Sequence, residues 1–368
     1  MSAPPALRHV GLGLGRIRHW HDGLGEFSRQ LLLALAARAA ELREQHRLQL
    51  HAHLPRAFHG LFGPGIGYLD TATTQRWLHL ARPSFVLWHT LHQHNRLRAP
   101  WGTRYRVETV HDLNFLHTKD AAKAERYRRR LQRRLERADT VIAITHHVAG
   151  DIRARMPTLA APLQVIHNGA TDLTRSPQAA VEGVAVGPGA PPYLLHVSRL
   201  APTKNIAALL DLAAAWPEQP LVLAGARSDY TDGVARSIAE RGLRNVTLRL
   251  DVSEAQKAWL YAHCEGFVFP SLAEGFGLPP IEAMHFGKPV FLSRLTSLPE
   301  VGGDVANYFD SFEAAAMRAV IEKGLAAHQR RGPDALVRHA RSFSWARCAE
   351  AYLALYLRLL TKPDRRPR

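Results

Sequence analysis

Two glutamates in the stretch SLAEGFGLPPIEAM (271–284) have the type and spacing to do chemistry. Glu274 and Glu282 stand eight positions apart, with Gly275, Phe276 and Gly277 and then two prolines between them. Upstream is the apolar run GFVFPS, a buried-strand pattern, and PPIEAMHF opens a helix, where proline is tolerated in the first turn. Glu274 therefore falls on a strand-to-helix loop and Glu282 in the first turn of the helix. Glycines let backbone N–H groups approach a ligand, and the positive helix end favours an anion or hydroxyl-rich group beside one. A carboxylate such as Glu282 can accept both hydrogen bonds of a diol. Taken singly, each glutamate is adequately explained by dipole complementation and each glycine by a turn; the whole stretch points to a ligand.

Other chemistry-bearing residues lie at strand ends. HVSRLAPTKN puts Arg199 after one strand and Lys204 just before a helix. RVETVHD ends in His111–Asp112, and HDGLGEFS places Gly23 and Gly25 ahead of the first long helix. His51 and His53 alternate on a strand, and His92 and His94 lie in the loop TLHQHNRLRAP. Each pair has metal-site spacing, but no third ligand accompanies it. The chain contains neither Asp-x-Asp nor HExxH, so no metal is expected. The His92/His94 loop reads instead as a contact for a second substrate.

The elements that must hold these residues alternate between apolar strands and amphipathic helices, twice over. RHVGLGL, LQLHAHL, FVLWHT, RVETVHD, TVIAIT and LQVIHNG are strands of the first half. YLLHVS, PLVLAG, NVTLRL, GFVFPS and PVFLS are strands of the second. Such alternation implies parallel sheets with helices on both faces. The expected fold class is α/β: two Rossmann-like, doubly wound parallel-sheet domains facing a central cleft, with ligands beyond the carboxyl ends of the strands. The expected boundaries are residues 1–173, a Pro/Gly/Ala-rich linker over 174–192, and a second domain over 193–342. Residues 343–368 should form a long amphipathic helix returning to the first domain, followed by a basic tail.

Composition narrows the classes. The 368 residues are 46% hydrophobic and 22% charged, which suits a globular protein with ample core. The two cysteines are far apart and in no CxxC setting, as expected of a reducing compartment. There is no signal-peptide pattern and no apolar run of spanning length. The net charge of +16 is concentrated: residues 1–170 carry 25 Lys/Arg and 12 Asp/Glu, net +13, leaving +3 for the rest. A one-sided basic surface suits a polyanionic partner. KAERYRRRLQRRLERAD (123–139) adds a helix with an apolar stripe of Tyr127, Leu131, Leu135 and Ala138. Arg126, Arg129, Arg130, Arg133 and Arg134 form part of its broad cationic face, expected to meet the acceptor or an anionic membrane surface. No aromatic-basic nucleic-acid motif is evident, so no nucleic-acid partner is expected.

EGFGLPPIE resembles the Glu–seven residues–Glu signature of retaining glycosyltransferases of the GT-B fold, particularly glycosyltransferase family 4. HVSRLAPTKN, VHDL, VIHNG and FSWARCAEAYL resemble family segments in the family's order. The resemblance implies a nucleotide-sugar donor, GDP-mannose first because VHDL is similar to mannosyl-transferring relatives, with UDP-sugars next. It implies that Glu274 binds hydroxyls of the donor sugar and Glu282 the ribose, and that Gly275, Phe276 and Gly277 present amides. Arg199 and Lys204 would grip the diphosphate, and Ser198, Leu278 and Val252 would join the donor pocket. His111 would lie against the sugar, and Gly23 and Gly25 would approach the diphosphate, although Glu26 replaces the family's usual basic residue. The catalytic set would thus be Glu274, His111, Arg199 and Lys204. Without a metal, fixed cations would have to stabilise the departing diphosphate. The resemblance further implies a cell-surface glycan or lipid-linked acceptor such as lipopolysaccharide, and a cytoplasmic enzyme on the inner face of the membrane. The alternatives are a polyanion-binding protein without catalysis, a phosphorylase, and a silent donor-binding subunit.

Overall fold

The computed structural model describes residues 6–17, 20 and 23–361. The chain divides into two compact units, one of residues 1–169 with 344–368, the other of residues 170–343.

The first unit is built on seven strands: β1 (Arg8–Gly13), β2 (Leu48–Leu54), β3 (Gly67–Asp70), β4 (Leu87–Thr90), β5 (Tyr105–Val110), β6 (Thr140–Ala143) and β7 (Leu163–Val165). They are all parallel, in the order β3-β2-β1-β4-β5-β6-β7. Chain order reverses between β1 and β4, which makes their carboxyl ends the switch point where such sheets take ligands. The helix Gly23–Ala36 buries Phe27, Leu31, Leu32 and Leu35. The helix Trp345–Leu360 joins that core through Tyr352, Leu355, Tyr356 and Leu359, although it is the last element of the chain. Its tyrosines are tied by polar contacts as well: Tyr356 Oη lies 2.6 Å from His89 Nδ1 and Tyr352 Oη 3.0 Å from Thr109 Oγ1.

The second unit has six parallel strands: β8 (Leu194–Val197), β9 (Leu221–Gly225), β10 (Val246–Leu250), β11 (Gly266–Phe269), β12 (Val290–Ser293) and β13 (Asn307–Phe309). Their order is β10-β9-β8-β11-β12-β13, with the reversal between β8 and β11. The central strands are buried end to end, which explains their uninterrupted apolar sequences.

Residues 174–192 are held against the second unit rather than hanging free. Val181 is buried, Ala179 N donates to Ala255 O at 3.1 Å, and Arg249 Nε donates to Glu182 O. Edge strands β3 and β13 are additional to the sequence reading; GYLD and NYF are too short to show a period. The basic tail lies outside the described residues.

Candidate functional site

In the second unit, the loops after β8 and β11 bring most of the expected donor residues together. Ser198, just beyond β8, is buried; its N–H donates to Ala224 O at 3.0 Å, and its Oγ lies 2.7 Å from His196 Nε2. Gly225 closes β9 with φ +151°, and a Cβ there would stand 1.7 Å from the Ser198 carbonyl oxygen. Only glycine allows this approach. Arg199 is exposed and has no hydrogen-bond or ion-pair partner among the described residues.

Lys204 ends a short 3-10 turn, Pro202–Lys204, and its Nζ pairs with Glu274 Oε1 while lying 5.4 Å from the Phe269 ring centroid. Ser271 Oγ is 2.7 Å from the same carboxylate oxygen and 2.9 Å from Thr203 O. The expected cation and carboxylate therefore sit in contact, each less than one-fifth exposed. The loop that carries Glu274 is braced from behind: Thr296 Oγ1 accepts from Glu274 N at 3.1 Å, and Ser297 Oγ contacts the carbonyls of Glu274 and Phe276 at 3.0 and 2.9 Å.

Gly277, at φ +106°, immediately precedes the helix Leu278–His285, and a Cβ on it would meet Leu298 Cδ2 at 2.8 Å. Leu278 is the first helical residue and half-buried. Phe276 turns its ring into the core against Phe343, centroids 5.7 Å apart, so what Gly275–Gly277 can offer a ligand is backbone. Val252 is half-buried beyond β10, next to Asp251, whose N–H donates to Gly225 O at 2.7 Å.

Glu282 differs from its expected position. The helix begins at Leu278, so Glu282 is its fifth residue and lies past the first turn. It is 5% exposed, with Oε1 3.1 Å from Lys257 Nζ and Oε2 accepting from Tyr261 Oη at 2.9 Å. Burial, reinforced by the adjacent Glu282, pushes the Tyr261 phenol far above its usual range, so it remains a donor. These donors, rather than the helix dipole, hold the carboxylate in place.

In the first unit, Gly23 and Gly25 are not in a loop before the helix but in its first turn, which starts at Gly23. Gly25 is buried; Gly23 is open, with nothing within 4 Å of a Cβ. Glu26 Oε1 accepts from Gln30 Nε2 at 3.0 Å. His111 follows β5 and is buried with its ring edge-on to Phe27, centroids 4.4 Å apart. Its Nε2 donates to Leu91 O at 3.0 Å, and its backbone N–H donates to Gln93 Oε1 at 3.0 Å. Burial pulls the imidazole down to about 3, so it is neutral near pH 7. Asp112 Oδ1 accepts from Asn114 N at 2.9 Å.

His92 is buried, with Nε2 2.9 Å from Leu14 O, while His94 is exposed. Both line a trough of about 370 Å³ that also touches Gly25. His51 and His53 serve the interior: His51 Nε2 lies 2.9 Å from His9 Nδ1, and His53 Nε2 lies 2.9 Å from Gln75 Oε1.

The arginines of the basic helix, Ala121–Leu135, do not share one role. The helix ends before Ala138, and Ala124, Leu131 and Leu135 are the buried positions. Arg134 turns inward; its Nε is 3.0 Å from Glu108 Oε2, and it donates to Asn95 O. That departs from the expected exposed face, because Glu108 is a buried carboxylate on β5 and a buried charge needs a partner. Burial raises the Glu108 carboxyl, partly offset by Arg134. Arg129 pairs with Glu125 at 3.0 Å and Arg126 is exposed. Arg130, Arg133 and Arg134 line a cavity of about 1200 Å³; Arg126 and Arg129 do not. Sequence reasoning missed Gly225, Tyr261, Lys257, Ser271 and Ser297; only Ser271 lies in the stretch 271–284, and nothing in its type marks it there.

Residues 18–172 match the family description Glycosyltransferase Family 4, and residues 184–331 match Glycosyl transferases group 1. O-antigen chain mannosyltransferase B of Escherichia coli is 36% identical over 173 residues, 45% of this chain and 45% of that protein. O-antigen chain mannosyltransferase RfbU of Salmonella typhimurium is 26% identical over 222 residues, 60% of each. The matches thus span about half the length of these curated relatives. Among solved structures, sucrose-phosphate synthase from Thermosynechococcus elongatus aligns with a TM-score of 0.72 at 22% identity, covering 96% of this chain and 99% of that one. Anabaena Alr3699/HepE in complex with UDP and glucose aligns at 0.64 and 17% identity, covering 95% and 100%. These structural likenesses are of fold. With two parallel-sheet units, the fold they share, and a family match along most of its length, the chain belongs to the GT-B glycosyltransferases of family 4 and group 1.

Proposed function

We propose that the protein transfers a sugar from a nucleotide-sugar donor to a hydroxyl of a cell-surface glycan or lipid-linked acceptor, with retention at the anomeric carbon. The observation that carries this reading is the strand-end cluster of the second unit. There Arg199 stands unpartnered near the start of the loop that carries Lys204, and Lys204 touches Glu274 at the mouth of a glycine-opened helix. Arg199 and Lys204 supply the positive charge a departing diphosphate needs, and backbone amides at Gly275–Gly277 add donors. Glu274 accepts from sugar hydroxyls, and Glu282, held by Lys257 and Tyr261, accepts from ribose. Ser198, Leu278 and Val252 complete the donor pocket. His111, Gly23, Gly25, His92 and His94 serve from the first unit.

Mannose from GDP-mannose is the first donor, in keeping with the two O-antigen mannosyltransferases the chain resembles. A UDP-sugar is the second, since the structure of similar fold from Anabaena holds UDP and glucose. The acceptor is of the lipopolysaccharide kind, and the enzyme works on the cytoplasmic side of a membrane without a metal. No helix among the described residues is long and apolar enough to cross a membrane. Calorimetry of GDP, UDP, ADP and their sugar conjugates without added metal tests the donor. Micromolar binding of one nucleotide class supports the reading, and no binding to properly folded protein overturns it.

A further inference from the structure

The cavity beside the basic helix is a feature of the first unit that the donor site does not account for. Its volume is about 1200 Å³, and nine arginines and one lysine line it against a single carboxylate, Glu108. Glu108 is already matched by Arg134 at 3.0 Å. Arg130, Arg133, Arg134 and Arg137 follow one another at helical spacing along one wall. Arg76 and Arg98 come from the loops that form the other wall. Among the described residues, Arg76, Arg98, Arg130, Arg133 and Arg137 have no carboxylate partner. The Arg76 Nε is also buried without a hydrogen bond. Burial, followed by the neighbouring guanidiniums of Arg96, Arg134 and Arg76, lowers Arg130 below its usual range, the mark of crowded like charge.

These loops are built rather than loose. Arg98 N donates to Gln75 O at 3.0 Å, Trp101 N donates to His79 O at 2.7 Å, and His79 Nδ1 donates to Arg98 O at 2.7 Å. The same loops carry an apolar rim: Trp101 is 80% exposed, Leu80 71%, Trp77 67% and Leu78 56%. Four large apolar side chains held in water beside a concentrated cationic wall form an amphipathic surface. A free phosphate needs only the cations. A nucleic acid strand would use the aromatic faces but has no need of exposed leucines. The cavity also adjoins the trough touching Gly25, with which it shares Arg76, His94, Asn95, Arg96 and Leu97.

We infer that this cavity binds a diphosphate ester carried on an apolar chain, with the guanidiniums of Arg76, Arg130 and Arg133 on the diphosphate and Trp77, Trp101 and Leu78 along the chain. Guanidinium forks suit phosphate oxygens geometrically, and clustered guanidiniums gain most from a polyanion that relieves their mutual repulsion. The inference deepens the proposed function: it gives the chemistry of the acceptor's carrier, and only that assignment depends on the glycosyl-transfer reading.

Calorimetry with inorganic pyrophosphate and with geranyl diphosphate tests it, on wild type, R130A/R133A, W101A, R199A/K204A and the control R126A. Geranyl diphosphate should bind at least tenfold more tightly than pyrophosphate. R130A/R133A should weaken both at least tenfold, and W101A should weaken only the prenyl ester. R126A should leave both in place, and R199A/K204A should leave geranyl diphosphate in place while removing only the pyrophosphate that the donor site takes. All the altered arginines and Trp101 are exposed, and unchanged melting temperatures confirm folding. Equal binding of the two probes, or indifference to R130A/R133A, overturns the inference. So does a preference for poly(U), or an R130A/R133A defect confined to anionic vesicles with soluble probes unaffected. Nucleotide binding is measured on the same samples. Its absence with the prenyl-diphosphate pattern intact would remove the proposed function and leave the cavity assignment standing; the reverse pattern would remove only the latter.

Discussion

Acidification is expected to loosen the first unit well before the second. Burial holds His51 and His53 at about 4 and His89 and His111 at about 3, all four in the first unit; in the second, His196 is held at about 4. A histidine whose folded pKa is depressed contributes stability that is fully present above its unfolded value near 6.5. That stability is lost as pH falls toward the folded value, because the unfolded chain takes up a proton the folded chain refuses. Between pH 7.5 and 5.5 each such group forfeits on the order of 1 kcal/mol. The first unit therefore loses on the order of 4 kcal/mol and the second on the order of 1 kcal/mol, and the larger figure approaches the whole stability of a marginal domain. Burial raises the Glu108 and Glu265 carboxyls, which act in the opposite sense, but one lies in each unit and the contrast survives. Hydrogen exchange read by mass spectrometry at pH 7.5, 6.5 and 5.5, corrected for intrinsic exchange rates, measures the opening free energy of peptides from β1 to β6 against those from β8 to β12. His89→Gln should reduce the pH slope of the first unit by one proton. The reasoning fails if the first unit's opening energy changes by less than about 1 kcal/mol over this range, or if both units soften equally.

At the donor site, Glu282→Ala should weaken binding of the preferred nucleoside diphosphate by about 1.5–3 kcal/mol, the scale of a hydrogen bond to a charged group. Calorimetry that found unchanged affinity would take Glu282 off the ribose. Gly225→Ala should destabilise the protein by about 3 kcal/mol in a thermal melt, because its methyl group must displace the Ser198 carbonyl; a wild-type melt would mean that this strand end yields freely. Glu274→Gln should cut turnover strongly while tightening the nucleoside diphosphate several-fold, and calorimetry together with transfer assays separates the two effects.

The fold was readable wherever apolar runs were long enough to show a period. The central strands β1, β2, β4, β5, β8, β9, β11 and β12 announce themselves, and strand-end placement of Arg199, His111 and Glu274 follows directly. The edge strands GYLD and NYF do not, because three or four residues half-exposed at a sheet edge carry no alternation. The helix start at Leu278 was misplaced because proline is tolerated throughout a first turn and so does not fix where the turn begins. Residues 174–192 looked like a linker by composition, yet backbone hydrogen bonds and one buried valine suffice to hold them. The basic helix was legible as cationic, but not the cavity, whose cations come from segments around 76, 96–106 and 119–137 that only the folded sheet assembles. Nor could Tyr261 and Lys257 be read as partners of Glu282; they lie one turn apart on a separate helix, in a pattern that resembles any amphipathic face.

The charges of the donor site explain why Glu274 should restrain as well as serve. Each glutamate has its own lysine, Glu274 with Lys204 and Glu282 with Lys257, so among the described residues of this cluster Arg199 is the cation left without a carboxylate. A diphosphate brings two or more negative charges, and Arg199 alone does not balance them. Lys204 can swing to the phosphate only by leaving Glu274, whose side chain is 12% exposed and, among the described residues, would then keep Ser271 Oγ as its remaining side-chain partner. Breaking so enclosed a pair costs about 1–3 kcal/mol when nothing replaces the lysine. Sugar hydroxyls on Glu274 would replace it. On this argument the complete nucleotide-sugar binds more tightly than the bare nucleotide, since each half of the ligand relieves what the other disturbs. Glutamine at 274 removes the restraint, so the bare nucleotide should gain and the sugar's advantage should disappear. If Glu274→Gln instead weakened both ligands alike, Lys204 would not be held in reserve by Glu274, and the pair would be structural.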